Sequence, residues 1–310
     1  MSLFETESLV KSPLNYIGGK SKLLPQILPL FPRKIRRFVD LFCGGCNVGI
    51  NVSADTIFFN DNLRFLIETY REFRRRDEEE IFMHLRERIT EFNLSETNEA
   101  GYRALRKCYN THKNPLDLFV LCAYSFNHQI RFNNAGEFNN PFGKNRSKFN
   151  PTMEKNLRAF LKKIKRQNVR FSALDFEDFD FSDFDENDFV YCDPPYLIST
   201  GTYNDGKRGF RGWSEDEEYA LLELLSRLSQ QGVRFALSNV LTHKNEENSI
   251  LKSWAETAPA IFVHRLKFDY TNSNYQQKNR ALGTSTEVLI TNFASPVVPV
   301  VEKQLQFQLQ

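Results

Sequence analysis

The sequence predicts an α/β fold, a sheet core flanked by helices and interrupted by an inserted, mostly helical domain. Three observations carry this. Strand-like runs bounded by turn residues alternate with stretches of helical period along much of the chain. The apolar run Phe38-Val39-Asp40-Leu41-Phe42 leads into the paired glycines of Cys43-Gly44-Gly45-Cys46, the pattern of a strand-to-helix turn that meets a ligand. From about Arg64 to Arg166 there are long helical runs and no convincing core strand. Residues 1–63 and 167–310 are therefore expected to form the sheet domain, and residues 64–166 the insert.

Taken in order, an apolar helix is expected to begin near Lys22. Strands follow at residues 37–42 and 56–60, each an apolar run closed by turn residues. Helical patterns then cover residues 63–75, 77–92 and 153–167. The loop at residues 126–150 separates the last two, with Gly136, Pro141 and Gly143 breaking any helix. Strands return at residues 168–172 and 188–192. A helix over 215–230 is opened by a capping box of Ser214 and Glu217, and strands at 233–238, 260–268 and 287–292 complete the sheet.

Composition narrows the class. With 310 residues, 41% hydrophobic and 26% charged, the chain is too long for a disulfide-stapled mini-protein and too apolar for a disordered one. No run approaches eighteen apolar residues, and Glu5 and Glu7 sit where a signal peptide would be basic and then apolar, so neither secretion nor membrane insertion is expected. Five scattered cysteines suit a reducing cytoplasm. The net charge of +2 alone argues against a polyanionic partner, but the charge is segregated. Residues 11–37 carry seven basic groups and no acidic one. Residues 103–170 carry fifteen basic and three acidic, and residues 175–188 carry eight carboxylates with no Lys or Arg. Basic blocks suit a polyanion lying on one face; they also suit ordinary solvated helix surfaces. The middle block tilts toward the first. Residues 126–150 hold five Phe, seven Asn and four basic residues, the chemistry that reads base edges and wedges into stacks.

Three motifs carry chemistry. In the glycine stretch, backbone can approach a ligand at a helix N-terminus, and Asp61, ending the next strand, is placed to accept hydrogen bonds from ribose hydroxyls; a tight turn without ligand remains the alternative. Cys43-x-x-Cys46 has no second pair, so a metal or redox site is not expected. Gly18-Gly19-Lys20-Ser21 mimics the end of a phosphate-binding loop, but Leu14 stands where its partner glycine belongs; Tyr16 and Lys20 instead offer a ring and a cation for a ligand carboxylate. The sharpest signal is Asp193-Pro194-Pro195-Tyr196, after the apolar run Val190-Tyr191-Cys192. Two prolines cannot continue a ladder, so the tip is rigid. A carboxylate, the Pro194 carbonyl and a flat ring in fixed relation suit an amino group on a planar base. Each acceptor takes one N–H, and the ring stacks on the base. Two acceptors pull a conjugated amine toward tetrahedral geometry and free its lone pair for attack on an electrophile.

These motifs, in this order and with a long insert between them, resemble those of the Dam-type (D12 class, alpha arrangement) S-adenosylmethionine-dependent DNA adenine-N6 methyltransferases. The resemblance runs from Pro13 to Phe293 and includes Arg131-Phe132-Asn133 and Gly136 to Gly143, which resemble the family's target-recognition hairpin. It implies a Rossmann-like methyltransferase sheet as the catalytic domain and the insert as the DNA target-recognition domain. It further implies a cofactor pocket of Tyr16, Lys20, Asp40, Phe42, Gly44, Asp61, Asp175, Phe176 and Asp193, with Lys20 near the methionine carboxylate. Asp193, Pro194, Pro195 and Tyr196 would form the catalytic loop. Arg131 would read a guanine, Pro141 would meet a thymine methyl, and Phe126 with Asn127 would enter the duplex; Asn133 and Lys144 complete the DNA-contacting set. A place for Phe126 in the insert core is the alternative. Asn15 and Cys46 depart from the family pattern, Asn15 standing where a basic residue is usual and Cys46 where a second loop glycine is.

The implied activity is methyl transfer from S-adenosyl-L-methionine to a flipped adenine in a short double-stranded DNA site, GATC being the expected target. The alternatives are a cytosine-N4 methylase and a catalytically silent DNA-binding relative. No metal is expected. The expected setting is a bacterial or phage-encoded cytoplasmic monomer or weak dimer, serving a restriction-modification system or a phage and sharing its site with a cognate restriction endonuclease without a stable complex. Residues 199–213, with Lys207, Arg208 and Arg211, are expected to form a mobile loop that orders over the substrate.

Overall fold

The computed structural model describes residues 9–16, 18–198, 213–243, 246–267 and 285–296. Residues 199–212, which hold most of the expected substrate-covering loop, lie outside them. After an extended N-terminal segment come a 3-10 turn at Lys20–Lys22, the single-turn helix α1 (Leu24–Ile27) and a second 3-10 turn at Leu28–Leu30. The apolar helix expected from Lys22 is thus broken, because Pro29 has no amide to donate and its ring clashes with the carbonyl four residues earlier.

Strands β1 (Arg37–Asp40) and β2 (Thr56–Asn60) follow, then helices α2 (Arg64–Arg75), α3 (Glu78–Glu91), α4 (Glu99–His112), α5 (Pro115–Tyr124) and α6 (Pro151–Arg166). Next come β3 (Val169–Ser172), β4 (Phe189–Cys192), α7 (Glu215–Gln230), β5 (Arg234–His243), the short β6 (Glu246–Glu247), α8 (Ser249–Thr257), β7 (Phe262–Arg265) and β8 (Ser285–Thr291). The expected capping box at Ser214 and Glu217 is formed. Asparagines N-cap α4, α5, α6 and α8, so one of the Asn residues counted between 126 and 150, Asn150, opens a helix rather than facing a ligand.

The sheet runs β3-β2-β1-β4-β5-β8-β7, with β6 paired to the end of β5. The first five strands are parallel; β8 is antiparallel to both neighbours. Successive strand residues face opposite layers. Phe38, Phe59 and Phe189 pack beneath α2, α5 and α6, where Tyr70 and Phe160 lie 5.7 Å apart; Val39, Val190 and Phe235 pack against α7 and α8. The insert helices share the first of these buried clusters with the sheet. Strand order reverses between β1 and β4. Connections leave these neighbours in opposite directions, which opens a crevice at their carboxyl ends.

The other end of the same strands is closed by charge. Arg36 and Arg37 both bond Asp188, whose side chain is fully buried, and reach Asp185 and Asp183 as well. Two of the seven basic groups in the first block are therefore committed to the acidic run, away from the crevice. On α6, Arg158 pairs with Glu78 and Glu154. The expected basic face is narrowed to this extent: part of each basic block neutralises the protein's own carboxylates.

Candidate active site

A cavity of about 350 Å³ fills the β1/β4 crevice, within the range of ~300–1,000 Å³ for small-molecule sites. Every residue expected in the cofactor pocket or catalytic loop lines it: Tyr16, Lys20, Asp40, Phe42, Gly44, Asp61, Asp175, Phe176 and residues 193–196.

One wall is the loop after β1. The expected helix after this loop is absent; only a 3-10 turn, Gly49–Asn51, intervenes before β2. The fifteen residues between Asp40 and Thr56 are too few for both the glycine turn and a crossover helix. The turn's opening amide, Gly49, donates to Asp40 Oδ2 at 3.0 Å rather than to a ligand. Gly44 has φ 43°, and a Cβ there would come within 2.7 Å of the Tyr16 ring, so only glycine fits. Cys46 accepts φ 57° in place of a glycine. Both loop thiols are buried, which pushes their pKa up and keeps them neutral, poor ligands and poor nucleophiles.

Asp61 is buried at the end of β2, its carboxylate accepting from Gly44 N and Leu63 N, each at 2.9 Å. A carboxylate has about four acceptor sites, so capacity for ribose hydroxyls remains. Burial raises the Asp61 pKa and pushes that of Asp40 to about 8, while the Gly49 amide opposes the rise at Asp40. Asn60 holds the floor together and was not foreseen. Its amide donates to Leu41 O and Leu174 O, and its Oδ1 accepts from Ser172 Oγ and Leu174 N, joining the loops after β1 and β3.

At the rim, Asp193 follows the last residue of β4. Lys20 Nζ lies 2.8 Å from Asp193 Oδ1 and 5.0 Å from the Tyr196 ring centroid, and Tyr196 Oη donates to the same oxygen at 3.2 Å. Burial raises the Asp193 pKa, while the Lys20 ammonium opposes that rise. Phe42, Phe176 and Trp213 form an aromatic wall with centroid separations of 5.5–5.7 Å. Asp175 caps the turn beside it through Glu177 N. Carboxylates for hydroxyls, a cation for a carboxylate and rings for a purine together fit S-adenosylmethionine.

The residues expected to meet DNA stand apart; none lines the cavity. Residues 131–139 form a hairpin bridged at Phe132 and Phe138. Arg131 donates to Asn139 Oδ1 and O at 2.8 and 2.7 Å, while Asn133 closes the turn by accepting from Ala135 N and Glu137 N. Phe126 is 37% exposed, with the Arg146 guanidinium over its ring. Asn127 takes φ 55°, and Pro141 and Lys144 are exposed. Asn15, from the cavity wall, donates to Asn127 O at 2.9 Å and links the two regions.

A mostly parallel sheet of this strand order, with a ligand-sized cavity at its switch point, defines a Rossmann-like methyltransferase fold. Residues 16–274 match the family of D12 class N6 adenine-specific DNA methyltransferases, and the chain belongs to that family. It is 50% identical to the type II methyltransferase M.FokI of Planomicrobium okeanokoites over 94% of its length, and 50% identical to the modification methylase StsI of Streptococcus sanguinis over 93%. In each case the chain spans 44% of the relative's length. It is 28% identical to a DNA adenine methylase of Salmonella typhi over 86% of this chain and 91% of that one. Among the described residues no helix is long and apolar enough to cross a membrane.

Proposed function

We propose that this chain methylates the N6 amine of an adenine in a short site of double-stranded DNA, as the modification partner of a restriction system in the cytoplasm. The observation that carries it is Asp193: a carboxylate at a proline-stiffened strand tip, on the rim of a nucleoside-sized cavity, with Lys20 opposing the effect of burial on its charge. The target adenine leaves the duplex, at a cost of a few kcal/mol, and stacks on Tyr196. Asp193 and the Pro194 carbonyl each accept one of its N–H bonds. When bound, S-adenosylmethionine would supply the electrophilic sulfonium methyl: the amine nitrogen takes it as the methyl–sulfur bond breaks to a neutral thioether, and the methylated nitrogen then loses one proton to solvent. Phe42, Phe176 and Asp61 hold the nucleoside part of that cofactor, and Arg131 with the hairpin reads the flanking base pairs. No covalent enzyme intermediate is needed; fixed acceptors and proximity supply the rate.

Identity to M.FokI and StsI is higher than to the Salmonella adenine methylase, which weakens GATC as the expected site; the sequence flanking the methylated base decides it. Asp193→Ala tests the reading. It should lower methyl transfer by at least about a hundredfold while duplex binding persists. Near wild-type transfer would overturn the assignment.

A further inference from the structure

Glu218, on α7, is completely buried, and no step of the proposed transfer uses it. Its Oε2 accepts the indole N–H of Trp213 at 2.7 Å; its Oε1 accepts the side-chain amides of Asn248 at 2.8 Å and Asn239 at 3.2 Å. All three partners are obligatory donors. An indole nitrogen only donates, and neither Asn can turn its amide around, because Asn239 Oδ1 accepts from Val240 N and Asn248 Oδ1 from Leu251 N. Only a group made of acceptors satisfies the cluster, which is the property of an ionised carboxylate. The cluster is also an anchor. Asn239 lies on β5 and Asn248 caps α8, both packed framework, whereas the ring of Trp213 faces the cavity, 5.7 Å from the rings of Phe42 and Phe176.

We propose that Glu218 is a positioning residue that fixes Trp213 as the aromatic wall against which the purine ring of the bound cofactor packs. This rests on the reading that the cavity takes S-adenosylmethionine. Glu218 touches no part of the cofactor itself; it sets the tilt of the indole, and the indole with Phe42 and Phe176 sets the slot. Replacement by Gln turns an N–H₂ toward one of three donors, so the shape is kept and the anchor is broken.

The chain has two tryptophans, and Trp254 lies on α8, its indole N–H donating to Ser226 Oγ of α7. In a Trp254→Phe background the emission of Trp213 alone can be followed while S-adenosylmethionine is titrated. Ligand-free Glu218→Gln protein, shown folded by circular dichroism, should emit further to the red, and its dissociation constant for S-adenosylmethionine should rise about tenfold, as expected for loss of a hydrogen bond to a charged group. Unchanged affinity in the folded variant overturns the proposal, whether or not the emission moves. If Glu218→Gln does not fold, Trp213→Phe decides, with affinity read by calorimetry: about tenfold weaker binding supports the wall and wild-type binding overturns it. Failure of the unmutated protein to bind S-adenosylmethionine at all would overturn the cofactor reading instead, and is distinguished by that arm.

Discussion

Lys20 and Asp193 are 2.8 Å apart in space and far apart in sequence, and their pairing changes what each residue does. The tip Asp193–Tyr196 was legible as a rigid strand end on a ligand site, because two prolines cannot continue a ladder; holding an amine is the proposed use of its acid and ring. Lys20 was legible only as a cation near the cofactor. That it also lies against the Asp193 carboxylate depends on how the N-terminal segment crosses the sheet, which no local pattern encodes. The same holds for Asn60 and Trp213, pocket residues whose positions follow from the tertiary crossing of three loops. The pairing has a pH consequence. Burial raises the Asp193 pKa and Lys20 lowers it, so Lys20→Met should raise it further. The proposed transfer uses Asp193 as an ionised acceptor, so the acidic limb of the rate profile should move to higher pH in that variant, measured under saturating S-adenosylmethionine to separate it from weaker cofactor binding. An unmoved limb would show that Lys20 does not hold the charge on Asp193.

Among elements, β2 and α7 were read at their observed bounds, and the other strands were located with shifted ends, β5 running on to His243 where 233–238 was expected. The errors have physical causes. The helix expected after the glycine loop became a 3-10 turn because the chain is too short there, and the one expected at Lys22 was broken by proline. Helix α8 escaped notice because its start is set by the Asn248 cap rather than by a long apolar stripe. The base of β1 and β4 yields a prediction. Burial alone would raise the Asp188 pKa, but hydrogen bonds from Arg36 and Arg37 outweigh it and hold the carboxyl well below the usual range. A folded-state pKa below the unfolded one means that the stabilisation is complete above the ordinary value near ~3.9 and is lost as pH falls toward the folded value. Asp188→Asn should cost about 2–4 kcal/mol near neutrality. It should also flatten the acid limb of stability measured by denaturant unfolding across pH; an equally steep limb would exclude Asp188 as its source.

At the scale of the molecule, a net charge of +2 conceals a division of labour. Arg36 and Arg37 neutralise the acidic run at one end of the strands, Lys20 enters the cavity at the other, and Arg131, Lys144 and Arg146 lie on or beside the hairpin region. Charge along the sequence pointed toward a nucleic-acid partner but could not separate these uses, because pairing across the fold decides which cations remain for a ligand. The α/β class was legible in the alternation of strands and helices, whereas the sheet order was not: the fold brings the glycine loop and the proline tip to the ends of neighbouring strands, β1 and β4, and the cavity lies where those ends part. The account stands or falls on the product. The protein is incubated with methyl-labelled S-adenosylmethionine and unmethylated duplex DNA carrying many sequences, the DNA is digested to nucleosides, and the labelled species and its flanking sequence are identified. The account predicts label in N6-methyl-deoxyadenosine at one short site; label in N4-methyl-deoxycytidine, or none from protein that binds both cofactor and DNA, would contradict it.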